Sequence, residues 1–159
     1  MIPDKNKIEE IIKELQKIMR IQDWDIDFEI VNQNEMKGLR RGETPQGTNL
    51  ITRTLKRCTI YINKDDTENW YQTLCHELMH VVTDLILWQE SHLYQFLPKA
   101  HREALDETFM TALEQSVDEL SKMFIFLYPV TNFNHILEPT SIVEEIPVFS
   151  ENMKGKVLT

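Results

Sequence analysis

Two histidines four residues apart bracket a carboxylate in the segment His76-Glu77-Leu78-Met79-His80. On a helix, a rotation of about 100° per residue leaves His76 and His80 roughly 40° apart, so both imidazoles can reach one metal ion. Zinc takes nitrogen and oxygen ligands in a tetrahedron, and in catalytic sites it keeps one position for a water whose pKa it lowers. A carboxylate beside that water, here Glu77, can take its proton as it attacks a carbonyl. The segment therefore supplies two zinc ligands and a general base, short of one protein ligand.

Its surroundings favour a helix. Leu74, Leu78, Val81, Val82, Leu85 and Ile86 recur at helical spacing and define an apolar stripe centred near Leu78. His76 and His80 fall about 160° from Leu78, away from that stripe. Histidines belonging to the core would lie within it, so the alternative to metal binding is a pair of exposed histidines with no role.

The third ligand must come from elsewhere in the chain. A second long helical pattern carries Glu103, Glu107, Glu114 and Asp118 on one flank of an apolar stripe that includes Phe109, Leu113, Val117, Leu120 and Phe124. Glu107 and Glu114, two turns apart, lie within about 20° of each other, so the wheel alone does not separate them. Glu114 is preferred. Asp118 stands one turn on, where it could accept the free N–H of a zinc-bound histidine. Its neighbours Ala112, Leu113 and Val117 are apolar, and an ionised carboxylate in such company needs a cation. Its distance along the chain from His80 also leaves room for a helical hairpin. Asp84, one turn after His80, is a rival, but a third ligand from the same helix gives poor tetrahedral geometry.

The elements that must position these residues follow from the pattern on either side. Ile8, Ile11, Ile12, Leu15, Ile18 and Met19 make residues 7–20 an amphipathic helix. Trp24, Ile26, Phe28 and Ile30 alternate with acids as a half-buried strand. Residues 32–48, with three glycines and a proline, read as a loop. Leu50 to Ile62 is rich in β-branched residues, and Cys58-Thr59-Ile60-Tyr61-Ile62 reads as a strand. Asp66 or Thr67 can cap the motif helix, which is expected to run to about Gln89; the second helix is expected from Pro98 to about Phe126, with Pro129 beyond it. The order helix, strand, strand, helix, helix gives an α+β domain over residues 1–129. Residues 130–159 are expected to be a C-terminal tail, packed on the domain or partly disordered. Within it, Glu144 and Glu145 precede the apolar Ile146-Pro147-Val148-Phe149, which could lie in the cleft, although a plain packed or frayed terminus is the preferred reading.

HExxH followed, after a helical hairpin, by Glu114-x-x-x-Asp118 resembles the gluzincin metallopeptidases, and the short chain with a strand just before the motif is similar to their minimal bacterial and phage members. The resemblance spans about residues 22–126. It implies a zincin-like fold, with a small sheet packed against an active-site helix and a second long helix. It also implies zinc held by His76, His80 and Glu114, Glu77 as general base, Asp118 behind a ligand, and a peptide or protein substrate. In that family an edge strand runs along the cleft, the part to which Cys58–Ile62 corresponds here, and a peptide can add to it by main-chain hydrogen bonds. Larger gluzincins steady the oxyanion with a tyrosine or histidine further on; His92, Tyr94, His101, Tyr128 and His135 are all candidates. One alternative function is a non-catalytic zinc-binding domain, against which Glu77 argues, since a structural zinc site needs no base; another is a regulatory protein-interaction domain with the acidic surface as its contact.

Composition bounds the rest. The 159 residues carry a net charge of −9 with no basic stripe, which disfavours nucleic acid as a partner. No apolar run reaches the roughly 18 residues of a membrane span, and the N-terminus has no secretory signal, so a cytoplasmic protein is expected. Cys58 and Cys75 form no CxxC pair and are expected to be reduced and buried. Nothing in the sequence sets an oligomeric state.

Overall fold

A computed structural model of the chain describes residues 2–39, 46–65, 68–94 and 96–138. The fold is α+β, with a three-stranded sheet. Helix α1 (Lys5–Met19) starts at Asp4, whose side chain accepts from the Lys7 N–H at 3.1 Å, and ends at Arg20 in the left-handed conformation. It buries Ile8, Ile11, Ile12 and Leu15. Strand β1 (Asp25–Val31) follows and turns Phe28 into the core.

The segment expected as a loop after β1 contains a short helix, α2 (Gln33–Leu39). Asn32 Oδ1 accepts from the Asn34 and Glu35 N–H groups at 3.0 and 3.1 Å, and Glu35 Oε2 accepts from the Asn32 N–H at 2.7 Å. This reciprocal capping box satisfies the first amides of the helix and outweighs the glycines that follow. Strand β2 (Gly47–Thr52) then begins inside the same expected loop. The β-branched run from Leu50 to Ile62 is not one strand. A 3₁₀ turn at Arg53–Leu55, closed by Lys56 at φ 47°, folds it into a hairpin of β2 and β3 (Arg57–Asn63).

The sheet order is β1-β3-β2, with β3 parallel to β1 (Phe28 opposite Ile60) and antiparallel to β2 (Asn49 opposite Ile60). Cys58–Ile62 therefore lies in the central strand, not at an edge; β2 is the edge strand beside the motif helix. The tight turn at Arg53–Leu55 lays β2 against one side of β3 and β1 takes the other, so β3 is central and β1 and β2 are the two edges.

Helix α3 (Trp70–Tyr94) carries the motif and runs one turn past the expected end. The expected caps, Asp66 and Thr67, lie outside the described residues. Leu74, Cys75, Leu78 and Val81 of α3 bury themselves with β1, β3 and α1 in the main core. The apolar stripe is narrower than expected, since Val82 and Ile86 are exposed. The other side of α3 meets α4 (Lys99–Leu127), where Met79 packs with Leu113 and Val117. The two helices are antiparallel, as the Tyr71 hydroxyl donating to the Tyr128 carbonyl at 2.7 Å shows near the start of one and the end of the other.

Residues beyond Pro129 belong in part to the core. A 3₁₀ turn (Val130–Phe133) and helix α5 (Asn134–Leu137) return the chain to α1. Phe133 is 3% exposed against Tyr71, and Lys7 Nζ donates to the Leu137 carbonyl at 2.9 Å. The segment Glu144 to Phe149 lies outside the described residues. No helix among the described residues is long and apolar enough to cross a membrane.

Candidate metal centre

The motif sits in the N-terminal half of α3, on the face that α4 covers. His76 and His80 are one turn apart, with their Nε2 atoms 3.3 Å from each other. Glu114 reaches across from α4, and its Oε2 lies 3.6 Å from His76 Nε2 and 3.5 Å from His80 Nε2. The packing of Met79 between Leu113 and Val117 sets this height, because Glu114 follows Leu113 directly on α4. The histidines are half-buried rather than exposed, since α4 lies over them.

The three donor atoms form a triangle with nearly equal edges. Zinc bonds of about 2.0–2.2 Å arranged tetrahedrally separate their ligands by about 3.3–3.6 Å. The edges of 3.3, 3.5 and 3.6 Å fit one face of such a tetrahedron. Among the described residues, His76, His80 and Glu114 are the group of histidine, cysteine and acidic side chains that could hold a metal. The donor set of two imidazoles and one carboxylate suits zinc, with a fourth position left for water or substrate.

Glu77 is 5% exposed, next to this triangle and on the side of the sheet. Its Oε2 accepts from the Asn49 Nδ2 of β2 at 2.6 Å. The strand comes this near because residue 47 is glycine: a Cβ there would stand 2.4 Å from Thr73 Cγ2 and 3.2 Å from Glu77 Oε1. A cavity of about 250 Å³ opens beside the triangle, lined by Gln46, Gly47, Gln72, Thr73, His76, Glu77 and Asp118. Its wall thus joins the edge strand, the motif helix and α4.

The other sequence candidates are placed as follows. Asp118 lines the cavity, but its carboxylate is engaged by Lys122 at 2.7 Å rather than by a histidine. Asp118 and Glu119 together hold the Lys122 ammonium above its ordinary pKa. Asp84 is not grouped with the triangle; it takes a two-pronged hydrogen bond from Arg53, at 2.6 and 2.7 Å, that raises the guanidinium's pKa. Glu103 pairs with Lys99, and Glu107 is exposed. His101 and His135 are exposed, and Tyr128 stacks its ring on Phe124 at 4.9 Å; none of the three lines the cavity. The side chains of His92 and Tyr94 lie outside the described set. Cys58 and Cys75 are both free and buried. Burial pushes each thiol up to about 12, with the charge of Glu77 adding to the effect at Cys58, so neither is a thiolate nucleophile at neutral pH.

The sequence reading had no place for Asn49, Gly47, Thr73 or Gln72. A hairpin recognised within Leu50–Ile62 would have brought β2 alongside the motif helix and these residues with it. Comparison with protein-family models, with curated proteins and with solved structures finds no match for this chain.

Proposed function

We propose that this chain is a zinc-dependent peptidase of the gluzincin type, with a zincin-like arrangement of sheet, motif helix and second helix. The observation that carries the reading is the near-equilateral triangle of His76 Nε2, His80 Nε2 and Glu114 Oε2, with the buried carboxylate of Glu77 beside it. A structural site would need no base and would be closed by a fourth protein ligand. His76, His80 and Glu114 would hold the metal. Zinc bound there supplies Lewis acidity, which acidifies water and polarises a carbonyl.

The remaining work falls to the chain's own side chains. Glu77 takes the proton of the attacking water on its carboxylate and passes it to the departing amine nitrogen. The cavity between Gly47, Thr73, Gln72 and Asp118 receives the part of the peptide next to the scissile bond. The apolar packing of Leu74, Leu78 and Val81 beneath α3 fixes the helix from which both histidines and Glu77 project.

Digestion of a peptide library tests this reading. The zinc-loaded protein is expected to cleave, chelation to stop it, and added zinc to restore it. Glu77→Gln preserves size and polarity but cannot take a proton. It is expected to retain zinc and to lose about 10²–10⁴-fold in turnover. A zinc-loaded wild type that cleaves no peptide, or a Glu77→Gln variant as active as wild type, contradicts the proposal.

A further inference from the structure

The proposed base does not stand alone on its helix. Glu77 is nearly enclosed, and an ionised carboxylate in that position needs a hydrogen-bond donor aimed at it. Asn49 provides one, from a different element and 28 residues earlier in the chain, at 2.6 Å. The side-chain amide of Asn49 is not needed to hold β2 in the sheet, because the strand, Asn49 included, is secured by its antiparallel ladder to β3. Two features bring its amide to Glu77. Asn49 lies opposite Ile60, whose side chain is fully buried, so its register is fixed by the core. Gly47, two residues earlier, lets the edge strand approach Thr73 and Glu77 without a Cβ in the way.

From this geometry we infer that Asn49 is the positioning residue for the base: its side-chain amide holds Glu77 Oε2 and so sets the plane in which the carboxylate meets the reacting water. The inference rests on the peptidase reading. It assigns to the edge strand a role in the chemistry, beyond any part in holding a peptide. A carboxylate that loses one of its hydrogen bonds samples more orientations about χ3, and misplacement of a reacting group by about 1 Å can cost on the order of 100-fold. Asn49 makes no contribution to the metal triangle, so its loss acts on the base alone.

The test has an arm that needs neither metal nor turnover. In the metal-free protein, the Asn49 side-chain N–H₂ signals, assigned by ¹⁵N NMR, are expected to move on Glu77→Ala. Unchanged signals in a folded Glu77→Ala protein overturn the contact. The second arm is kinetic and uses the zinc-loaded full chain with a peptide it cleaves. Asn49→Ala is expected to lower kcat by about 10- to 100-fold, as loss of a supporting partner commonly does, with KM and zinc affinity within about twofold of wild type. Asn49→Gln keeps an amide donor and is expected to recover part of the loss. Asn49→Asp keeps the shape, faces Glu77 with a like charge, and is expected to be at least as impaired as Asn49→Ala. An Asn49→Ala protein with unchanged kcat, or one whose zinc affinity falls along with kcat, overturns the positioning role. A zinc-loaded wild type that cleaves nothing ends the peptidase reading, and Asn49's part in it, whereas wild-type cleavage with an unaffected Asn49→Ala ends the inference alone.

Discussion

Glu114 and Glu107 lie on the same flank of α4, yet their surroundings differ in kind. Glu114 Oε2 is within 3.6 Å of both imidazoles, while Glu107 is exposed on the outer part of the helix. Glu114→Ala is therefore expected to weaken zinc binding by about an order of magnitude or more, with Glu107→Ala near wild type. A competition titration against a chelator measures both, and the reverse ranking would show that another turn of α4 provides the ligand. The motif residues themselves were legible in the sequence because HExxH states its geometry in its spacing: one helical turn, one face. Glu114 was legible only by argument from its neighbours, since acids are common on helices. The contact of Asn49 with Glu77 was not legible, because it depends on a strand pairing that local pattern does not encode.

The hairpin of β2 and β3 is where the elements departed most from the sequence pattern. Leu50 to Ile62 is rich in β-branched residues on both sides of the turn, and the turn itself, Arg53-Thr54-Leu55-Lys56, holds neither glycine nor proline. Its stability comes from tertiary contact instead. Arg53 reaches α3 and grips Asp84, whose side chain is 5% exposed against 38% for Arg53. The asymmetry predicts unequal costs. Arg53→Ala leaves a carboxylate buried without its cation, and is expected to lower stability by about 2 kcal/mol, less than for a fully buried pair because water reaches the arginine. Asp84→Asn lets Arg53 turn to solvent and is expected to cost less. Urea denaturation midpoints of the two variants test the order; equal or inverted costs would mean that the pair does not anchor the hairpin. Gly47→Ala belongs to the same scale. Its Cβ would press on Thr73 Cγ2 and crowd Glu77 Oε1, so the contact of the edge strand with the motif helix must rearrange at Thr73, at Glu77 or in the strand that carries Asn49. A loss of turnover with retained zinc binding is expected, and a fully active Gly47→Ala protein would show that the approach of β2 to the motif is not required. The short helix α2 was hidden for the opposite reason: its capping box, Asn32 to Glu35, was present in the sequence but followed by glycines that read as loop.

The molecule as a whole wraps its core around α3. Helix α1, the sheet, α4 and the turn after Pro129 each contribute to one apolar interior. Phe133 belongs to that interior, although Pro129 read as the end of the last large helix. Phe133→Ala is expected to cost about 3–4 kcal/mol, within the range for a buried aromatic. A thermal melt measures it, and an unchanged midpoint would place Phe133 outside the core. A truncation intended to ask whether Ile146 to Phe149 restrains the site should accordingly end after Glu138, because a cut after Pro129 removes a core residue as well.

The claim on which the rest depends is that α3 and α4 bring three donors to one metal ion, and a zinc titration of the metal-free protein addresses it most directly. One equivalent is expected to bind to wild type. His76→Ala and His80→Ala are each expected to lose that binding while remaining folded. A wild type that takes up no zinc, or histidine variants that bind it as well as wild type does, would contradict the account.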